Sequence, residues 1–273
     1  MIKTIADLKV GDQVIFGRYA PMVWPGRRFE GLNAIPQEEL PAYVEENLCN
    51  EIRWIKCRRD DGLLISRDVL DTEIAFRDRI QYGTPGWDAP PSWLNSAIRA
   101  WLNASDEGWH RPTEGATPVR YANCPGFLSR FLPEEIAALE DMSSPADNGS
   151  YSCDLVRLPD SAELERGQGE TLSYFKKHGK TAMIHERFPH AYYDKRTRWY
   201  WTKTTGTYGN VRSISASGRL TGSSGTCGIR PMIRLNLMLP VEATGEEGVY
   251  AVSVRHEPVP VVQLPDPMTL FGF

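Results

Sequence analysis

The sequence is poor in the residues that most often carry chemistry or form cross-links. Five cysteines and five histidines occur among 273 residues, and the cysteines are scattered along the chain. An odd, scattered set predicts neither a disulfide framework nor paired CxxC zinc ligands. We therefore expect free, buried thiols at all five positions, which are Cys49, Cys57, Cys124, Cys153 and Cys227.

Long apolar runs are also missing. No stretch reaches the roughly 18 apolar residues that span a bilayer. The charged, alternating N-terminus differs from a signal peptide. We therefore expect no membrane partner and a location in the cytoplasm or in a virus particle.

The familiar catalytic motifs are absent as well, including the P-loop, GxGxxG, HExxH and GxSxG patterns. Cys227 would need a histidine as base, and His178, His185 and His190 cluster in the sequence. A buried thiol and surface histidines are the simpler interpretation. Two histidines are too few for a structural zinc site, and residues 199–227 contain no acid for calcium. We predict no catalytic residue, no metal and no cofactor, and we favour a protein that is not an enzyme.

The most distinctive feature is a basic, aromatic segment from Lys195 to Arg234. It has eight Lys or Arg and no Asp or Glu, in a chain whose net charge is −4. Trp, Tyr, Ser, Thr and Gly crowd the same segment, and such residues suit recognition because they give contact area at low rotamer cost. A local positive field also attracts anionic ligands.

This segment predicts a ligand-binding surface in loops 202–227. Trp199 and Trp201 share one face of a strand and are expected in the core, so Tyr200 is expected to be exposed. Arg230 is expected to be structural, with its guanidinium donating to loop carbonyls or to a carboxylate. The predicted ligand-binding residues are Tyr200, Thr202, Lys203, Tyr208, Asn210, Arg212 and Arg219.

Alternation and turn residues predict an α+β fold of short strands, short helices and long loops. The Asp60-Asp61-Gly62 turn indicates a hairpin, and Ser92 is the expected N-cap of the clearest helix, with Trp93 and Trp101 in the core. Strands are expected over 10–18, 52–58, 63–66 and 248–256. Helices are expected over 91–103, 132–142, 161–166 and 171–178. The third of these is expected to begin with a capping box at Asp160.

Two segments stand apart from this pattern. Residues 20–50 contain prolines, glycines and unpartnered glutamates, which indicates either a solvated insertion or an acidic flap over the basic segment. The proline-punctuated tail, residues 257–273, is expected to be extended and docked on its own domain or on a partner. We expect one domain over residues 1–239, with an insertion at about 20–50, and an extended strand and tail over 240–273.

Six stretches, taken in order, resemble a known family. They are FGRY (16–19), IRWIKC (52–57), LLIS (63–66), SWLNSAIRAWLN (92–103), WYWTKT (199–204) and GIRPMIRL (228–235). Over about residues 10–238 the chain resembles the bacterial and phage family called domain of unknown function 6273, although WYWT stands where that family usually has WWLRS.

The closing Trp-rich strand, polar loop and GIRP strand also resemble the C-type lectin fold in its bacterial and phage form. That branch includes phage receptor-binding proteins and the formylglycine-generating enzyme. The resemblance implies a C-type-lectin-like fold whose loops before the last strands display the ligand-binding surface.

Three functions are consistent with these observations. The first is a phage- or prophage-associated recognition protein that binds a cell-surface glycan or protein ligand. The second is a structural protein of a phage particle, in which the tail contacts particle proteins or forms a homo-oligomer. The third is an enzyme of the formylglycine-generating-like fold, for which Cys227 lacks a second cysteine nearby in sequence. Nucleic acid is not an expected partner, because the rest of the chain is acidic.

Overall fold

The structure is a computed structural model of the chain. It describes residues 2–27, 29, 32–80, 91–143, 153–165, 167, 169–182, 199–206, 210–223 and 225–254. Tyr208, His185, His190 and the predicted C-terminal tail lie outside these residues. Within the described ranges, no helix is long and apolar enough to cross a membrane.

The described residues form a mixed α+β fold that consists mostly of strands. The strands are β1 (Lys3–Thr4), β2 (Gln13–Tyr19), β3 (Asn50–Lys56), β4 (Leu63–Ser66), β5 (Asp71–Ala75), β6 (Arg79–Ile80), β7 (Ala116–Thr117), β8 (Val156–Arg157), β9 (Tyr200–Thr205), β10 (Val211–Ile214), β11 (Leu220–Ser223), β12 (Thr226–Ile229), β13 (Met232–Arg234), β14 (Pro240–Ala243) and β15 (Val249–Val252). The helices are α1 (Leu40–Leu48), α2 (Ala97–Leu102), α3 (Pro133–Ala137), α4 (Ser161–Leu164) and α5 (Ser173–Lys177).

The strands are arranged in two main sheets and one small one. The larger sheet has the order β1-β14-β15-β2-β3-β4-β13-β8, and the second has the order β11-β10-β9-β12-β5. The pairs β15–β2 and β12–β9 are parallel. Strands β6 and β7 form a separate antiparallel pair. Because β14 and β15 pair beside β1 and β2, residues 240–252 are part of the main sheet.

The predicted hairpin is confirmed. Strands β3 and β4 are antiparallel, with Trp54 opposite Ser66, and the turn is held by the N–H of Leu63, which donates to Asp61 Oδ1 at 3.0 Å. A Cβ atom on Gly62 would lie 1.7 Å from the carbonyl oxygen of Leu235. The turn therefore needs glycine because the neighbouring chain passes directly against it.

The predicted helices exist but are shorter than expected. Helix α2 begins after Ser96, whose Oγ accepts from the N–H of Arg99 at 3.2 Å, so the prediction of Ser92 as N-cap is wrong. Its C-cap, Asn103, has φ −103°. The capping box is confirmed: Asp160 Oδ1 accepts from the N–H of Ala162, and the Glu163 carboxylate accepts from the N–H of Asp160.

The core is aromatic, and Trp54, Trp101 and Trp201 are completely buried in it. Trp101 lies in it as predicted, whereas Trp93 is only partly buried against it. Burying an indole N–H without a partner would be costly, and each of three buried tryptophans donates to a backbone carbonyl. The bonds are Trp54 to Phe16 at 2.7 Å, Trp101 to Pro125 at 3.0 Å and Trp201 to Ile74 at 2.7 Å.

The segment 20–50 is more than a solvated insertion. Phe29, Leu40 and Val44 form a small apolar cluster of their own. Glu45, on α1, is paired with Arg130 at 2.5 Å. Glu45 therefore pairs with a basic residue outside the basic segment, and not with the predicted binding loops.

A buried carboxylate fixes the start of this segment to the main body. Asp71, the first residue of β5, accepts from the Arg27 guanidinium, from Tyr19 Oη at 2.5 Å and from the N–H of Met22 and Thr72 at 2.9 and 2.7 Å. Burial, and next the Asp71 charge, raise the pKa of Tyr19 well above its usual 10.0. Tyr19 therefore stays a neutral donor.

The GIRP motif, residues 228–231, runs from the end of one main sheet to the start of a strand in the other. Strand β12 belongs to the second sheet and β13 to the larger one, and the carbonyl of Pro231 accepts from Ser66 at 2.9 Å. A Cβ on Gly228 would lie 2.8 Å from the carbonyl of Trp199 and 2.9 Å from that of Asp71. The glycine of the GIRP motif is thus required by the close packing of three strands.

Candidate ligand-binding site

The predicted binding segment is mainly a sheet. Its described part forms β9, β10, β11 and the start of β12. Strand β9 lies between β10 and β12, and its first three residues are all buried. Burial on both faces, rather than alternation, is typical of an interior strand.

Burial on both faces explains why one orientation prediction is wrong. Trp201 is in the core as expected and Trp199 packs against it, but Tyr200 is also fully buried, with 0% of its surface exposed. The Tyr200 hydroxyl donates to the carbonyl of Lys180 at 2.6 Å and accepts from Arg230 Nη1 at 3.4 Å. Burial raises its pKa above the usual 10.0. The side chain is part of the interior rather than of the surface.

Two further residues of the predicted surface are also turned inward. Thr202 is fully buried, and its Oγ1 donates to the carbonyl of Arg212 at 2.9 Å. Lys203 is half-buried. Burial, and next the neighbouring Arg157 charge, lower the pKa of Lys203, although the nearby carboxylates of Asp160 and Glu163 act in the opposite direction.

The remaining described candidates are on the β10–β11 hairpin. Asn210 and Arg219 are exposed and Arg212 is half-buried. Gly222 is directly opposite Arg212, so no side chain of β11 covers the guanidinium at that position. We call Asn210, Arg212 and Arg219 the hairpin face. The seventh candidate, Tyr208, lies outside the described residues.

The turn of the hairpin has a defined conformation. Ser215 accepts from the N–H of Gly218 at 2.8 Å through its carbonyl and from the N–H of Arg219 at 3.1 Å through its Oγ. Gly218 has φ +76°, which favours glycine. Arg212 and Arg219 therefore lie toward opposite ends of one braced hairpin.

The prediction for Arg230 is confirmed. Its guanidinium is buried and donates to the carbonyls of Ser66, Lys180 and Arg67 at 3.0, 3.4 and 3.5 Å. It also lies over the ring of Tyr200, 5.4 Å from the centroid. This arginine joins three separate parts of the chain.

The residues of the catalytic alternative have structural surroundings. Cys227 is buried, as expected, and its thiol is 3.7 Å from Ser223 Oγ. The ring of His178 stacks on Tyr174 at 4.4 Å. Cys57 and Cys124 are also buried, whereas Cys49 is half-buried and Cys153 is exposed. The prediction of a buried thiol is therefore wrong for Cys49 and Cys153. Within the described ranges, no group of three or more His, Cys, Asp and Glu could hold a metal ion.

A groove of about 410 Å³ beside β5 was not predicted from the sequence. Three arginines from outside the basic segment line it, namely Arg77, Arg79 and Arg120. Thr226, which belongs to the predicted loops, also lines it. The other lining residues are Glu73, Ala75, Thr117, Pro118, Val119 and Tyr121. We call it the arginine groove. The alternation Arg77-Asp78-Arg79 was its only sequence signal.

Structurally, the chain is thus a strand-rich α+β protein that presents basic side chains on a hairpin and in a groove. Residues 60–237 match the family described as Domain of unknown function (DUF6273), and the chain belongs to that family. The match confirms the resemblance carried by LLIS, the α2 sequence and GIRP, but it begins after FGRY and IRWIKC. No curated protein matches the chain, and no solved structure does.

Proposed function

We propose that this chain is a non-enzymatic recognition protein with a C-type-lectin-like fold. It binds a polar or anionic partner, such as a cell-surface glycan or an acidic protein face, through the hairpin face and the adjoining part of loops 202–227. A phage or prophage setting belongs to the same proposal.

The observation that carries the proposal is the state of the two hairpin arginines. Neither Arg212 nor Arg219 forms an ion pair with any described residue. The chain as a whole has more acidic than basic residues, so carboxylates are available that could have paired with them. Two accessible guanidiniums on a braced hairpin can form charge-assisted, bidentate hydrogen bonds to a ligand.

The interior position of Tyr200 and Thr202 sharpens the proposal. These residues stabilise the hairpin from the interior, because Thr202 donates to the backbone carbonyl of Arg212 and Tyr200 is opposite Ile214 in the pairing of β9 with β10. Changing them would alter binding through the fold, whereas changing Arg212 or Arg219 would alter the contact surface directly. The hairpin arginines are therefore the informative positions for a test.

The test is binding of the purified chain to arrayed bacterial surface polymers at low and high salt. The variant Arg212→Glu/Arg219→Glu should lose at least about tenfold in affinity, because each hydrogen bond to a charged group is worth about 1.5–3 kcal/mol. Salt should weaken binding of the unaltered chain. The matched control, Arg58→Glu/Arg59→Glu, changes the net charge equally, but in the connection between β3 and β4 rather than in the β10–β11 hairpin. This variant should retain binding.

Two results would contradict the proposal. One is binding that is indifferent both to salt and to the hairpin reversal. The other is an equal loss in the control, which would indicate that only the overall charge matters. Absence of binding to every polymer would favour the structural, particle-assembly alternative.

A further inference from the structure

The arginine groove is built between two segments that are distant in sequence. One wall is formed by β5 and the residues after it, and the other by residues 117–121. Arg79 is directly opposite Thr117 in the β6–β7 pair, and Tyr121 Oη donates to the carbonyl of Ala75 at 2.6 Å. The two walls are therefore bonded to each other at both ends of this contact.

A buried aspartate fixes the arginines that flank it. Asp78 is buried and accepts from the N–H of Val119 at 3.0 Å and from that of Thr113 at 3.2 Å. Its Oδ1 is also 2.8 Å from His110 Nε2. Asp78 is buried, whereas Arg77 is half-buried and Arg79 is exposed, and both arginines line the groove. The groove is held in shape without a ligand.

The lining has an excess of positive charge. Three arginines and one glutamate leave a formal charge of +2. Arg79 and Arg120 are exposed, and neither is in an ion pair with any residue that the structure describes. Burial lowers the pKa of the third arginine, Arg77.

Glu73 adds a second unusual feature to the same groove. It has φ +60°, and it is the non-glycine residue with positive φ among the described positions. Side chains rarely adopt this conformation, and residues retained in it are concentrated at ligand-binding sites. This residue lies in the wall of the groove, at the irregularity in the pairing of β5 with β12.

We propose that the arginine groove binds a phosphate group carried by an anionic ligand. The volume of about 410 Å³ falls within the range of small-molecule sites, about 300–1,000 Å³. Guanidinium forks match phosphate oxygens bidentately. A phosphate monoester carries about −1.5 to −2 at pH 7, so Arg79 and Arg120 attract it more strongly than they attract one carboxylate of charge −1.

The site is separate from the hairpin face, although Thr226 connects it to the predicted loops. Its place in ligand recognition rests on the function proposed above, whereas phosphate binding itself does not. A second cavity of about 480 Å³ shares Pro118, Val119 and Arg120 with the arginine groove, and its charged lining residues are Glu107 and Arg120, which have opposite signs. It offers no comparable excess of one charge.

The experiment is calorimetric titration of the full chain with inorganic phosphate and, separately, with malonate, in a low-salt chloride buffer. Phosphate should bind saturably and more tightly than malonate, which has a similar charge but a different geometry. The variant Arg79→Gln/Arg120→Gln should lose at least about tenfold in phosphate affinity. The matched control Arg58→Gln/Arg59→Gln should stay within about twofold, and circular dichroism should show that both variants are folded.

Three results would overturn the proposal: no saturable phosphate binding, malonate binding at least as tight, or an equal loss in the control. The Arg212→Glu/Arg219→Glu variant separates the two proposals. If it loses polymer binding but keeps phosphate binding, both sites stand as distinct. If phosphate binds while no polymer does, only the recognition function fails, and the reverse result would eliminate only the groove.

Discussion

Two groups of arginines in this protein differ in what their guanidiniums contact. In the first group, which lies in the core, each guanidinium donates to acceptors of the same chain. Arg27 is paired with Asp71, Arg157 donates two bonds to Glu163 at 2.6 and 2.7 Å, and Arg230 donates to three carbonyls.

In a second group, at the surface, the guanidinium is left available. The members of this second group, Arg79, Arg120, Arg212 and Arg219, form no ion pair with any described residue. A buried guanidinium must be satisfied because an unpaired buried charge is costly, whereas water satisfies an exposed one. The contrast predicts large effects on stability in the first group, and effects on binding alone in the second.

The largest effect is expected at the buried Arg27–Asp71 pair. Asp71→Asn removes the charge that compensates Arg27 and weakens the acceptor used by Tyr19. We expect a loss of about 3–5 kcal/mol in the free energy of unfolding, measured by urea denaturation. Glu45→Gln, which breaks the more exposed pair with Arg130, should cost less than about 1 kcal/mol. Equal losses in the two variants would remove the distinction between buried and exposed pairs.

A smaller loss is expected at Arg230, where carbonyls rather than a carboxylate are the acceptors. Arg230→Lys keeps the charge but cannot reach Ser66, Lys180 and Arg67 together, because an ammonium lacks the planar fork. We expect a loss of about 1–3 kcal/mol in the free energy of unfolding. Arg219→Lys, the matched surface change, should stay within about 0.5 kcal/mol. An Arg230→Lys variant as stable as the parent would mean that charge alone, without the fork, suffices there.

Much of the fold could be predicted from local patterns. The β3–β4 hairpin, the Asp160 capping box and the structural use of Arg230 depend on turn glycines, capping residues and an arginine in an apolar strand. The sequence patterns were less informative where burial depends on distant neighbours. Tyr200 was assigned to the surface because alternation assumes one wet face, but β9 is an interior strand of its sheet.

The candidate site was less predictable than the fold. Composition identified the hairpin that carries Arg212 and Arg219, because its basic residues are close together in sequence. The arginine groove joins residues about 40 positions apart, and its key bond links Asp78 to the backbone of Val119. No periodicity or motif reports a side-chain-to-backbone contact between two irregular segments, so the groove appears only when the chain is folded.

Acid should weaken the buried Arg157–Glu163 pair. Burial by itself would raise the pKa of Glu163, but the bonds from Arg157 outweigh it and hold the pKa below the usual 4.5. A carboxyl with a lowered folded-state pKa stabilises the fold at pH values above 4.5, and this contribution is lost as pH falls below that value. Each unit of the lowering corresponds to about 1.4 kcal/mol.

The measurement is the free energy of unfolding of the parent and of Glu163→Gln from pH 7 down to pH 3. The parent should lose stability more steeply than the variant below about pH 4.5. Because Glu246 also has a lowered pKa through its exposed bond to Arg53, Glu246→Gln is the control, and it should retain most of the parent's slope. Parallel curves for parent and Glu163→Gln would show that the Arg157–Glu163 pair contributes nothing that depends on pH.

The smallest effect on stability is expected in the arginine groove, and this is where the contrast between the two groups is tested most directly. Arg79→Gln/Arg120→Gln removes two exposed guanidiniums that have no ion pair among the described residues, so the free energy of unfolding should change by no more than about 0.5 kcal/mol. The change also removes the repulsion between two like charges that line one groove. A loss of 2 kcal/mol or more by urea denaturation would place these arginines with Arg27 and Arg230 as structural side chains. Unchanged stability together with lost phosphate affinity would show instead that Arg79 and Arg120 act in ligand binding and not in folding.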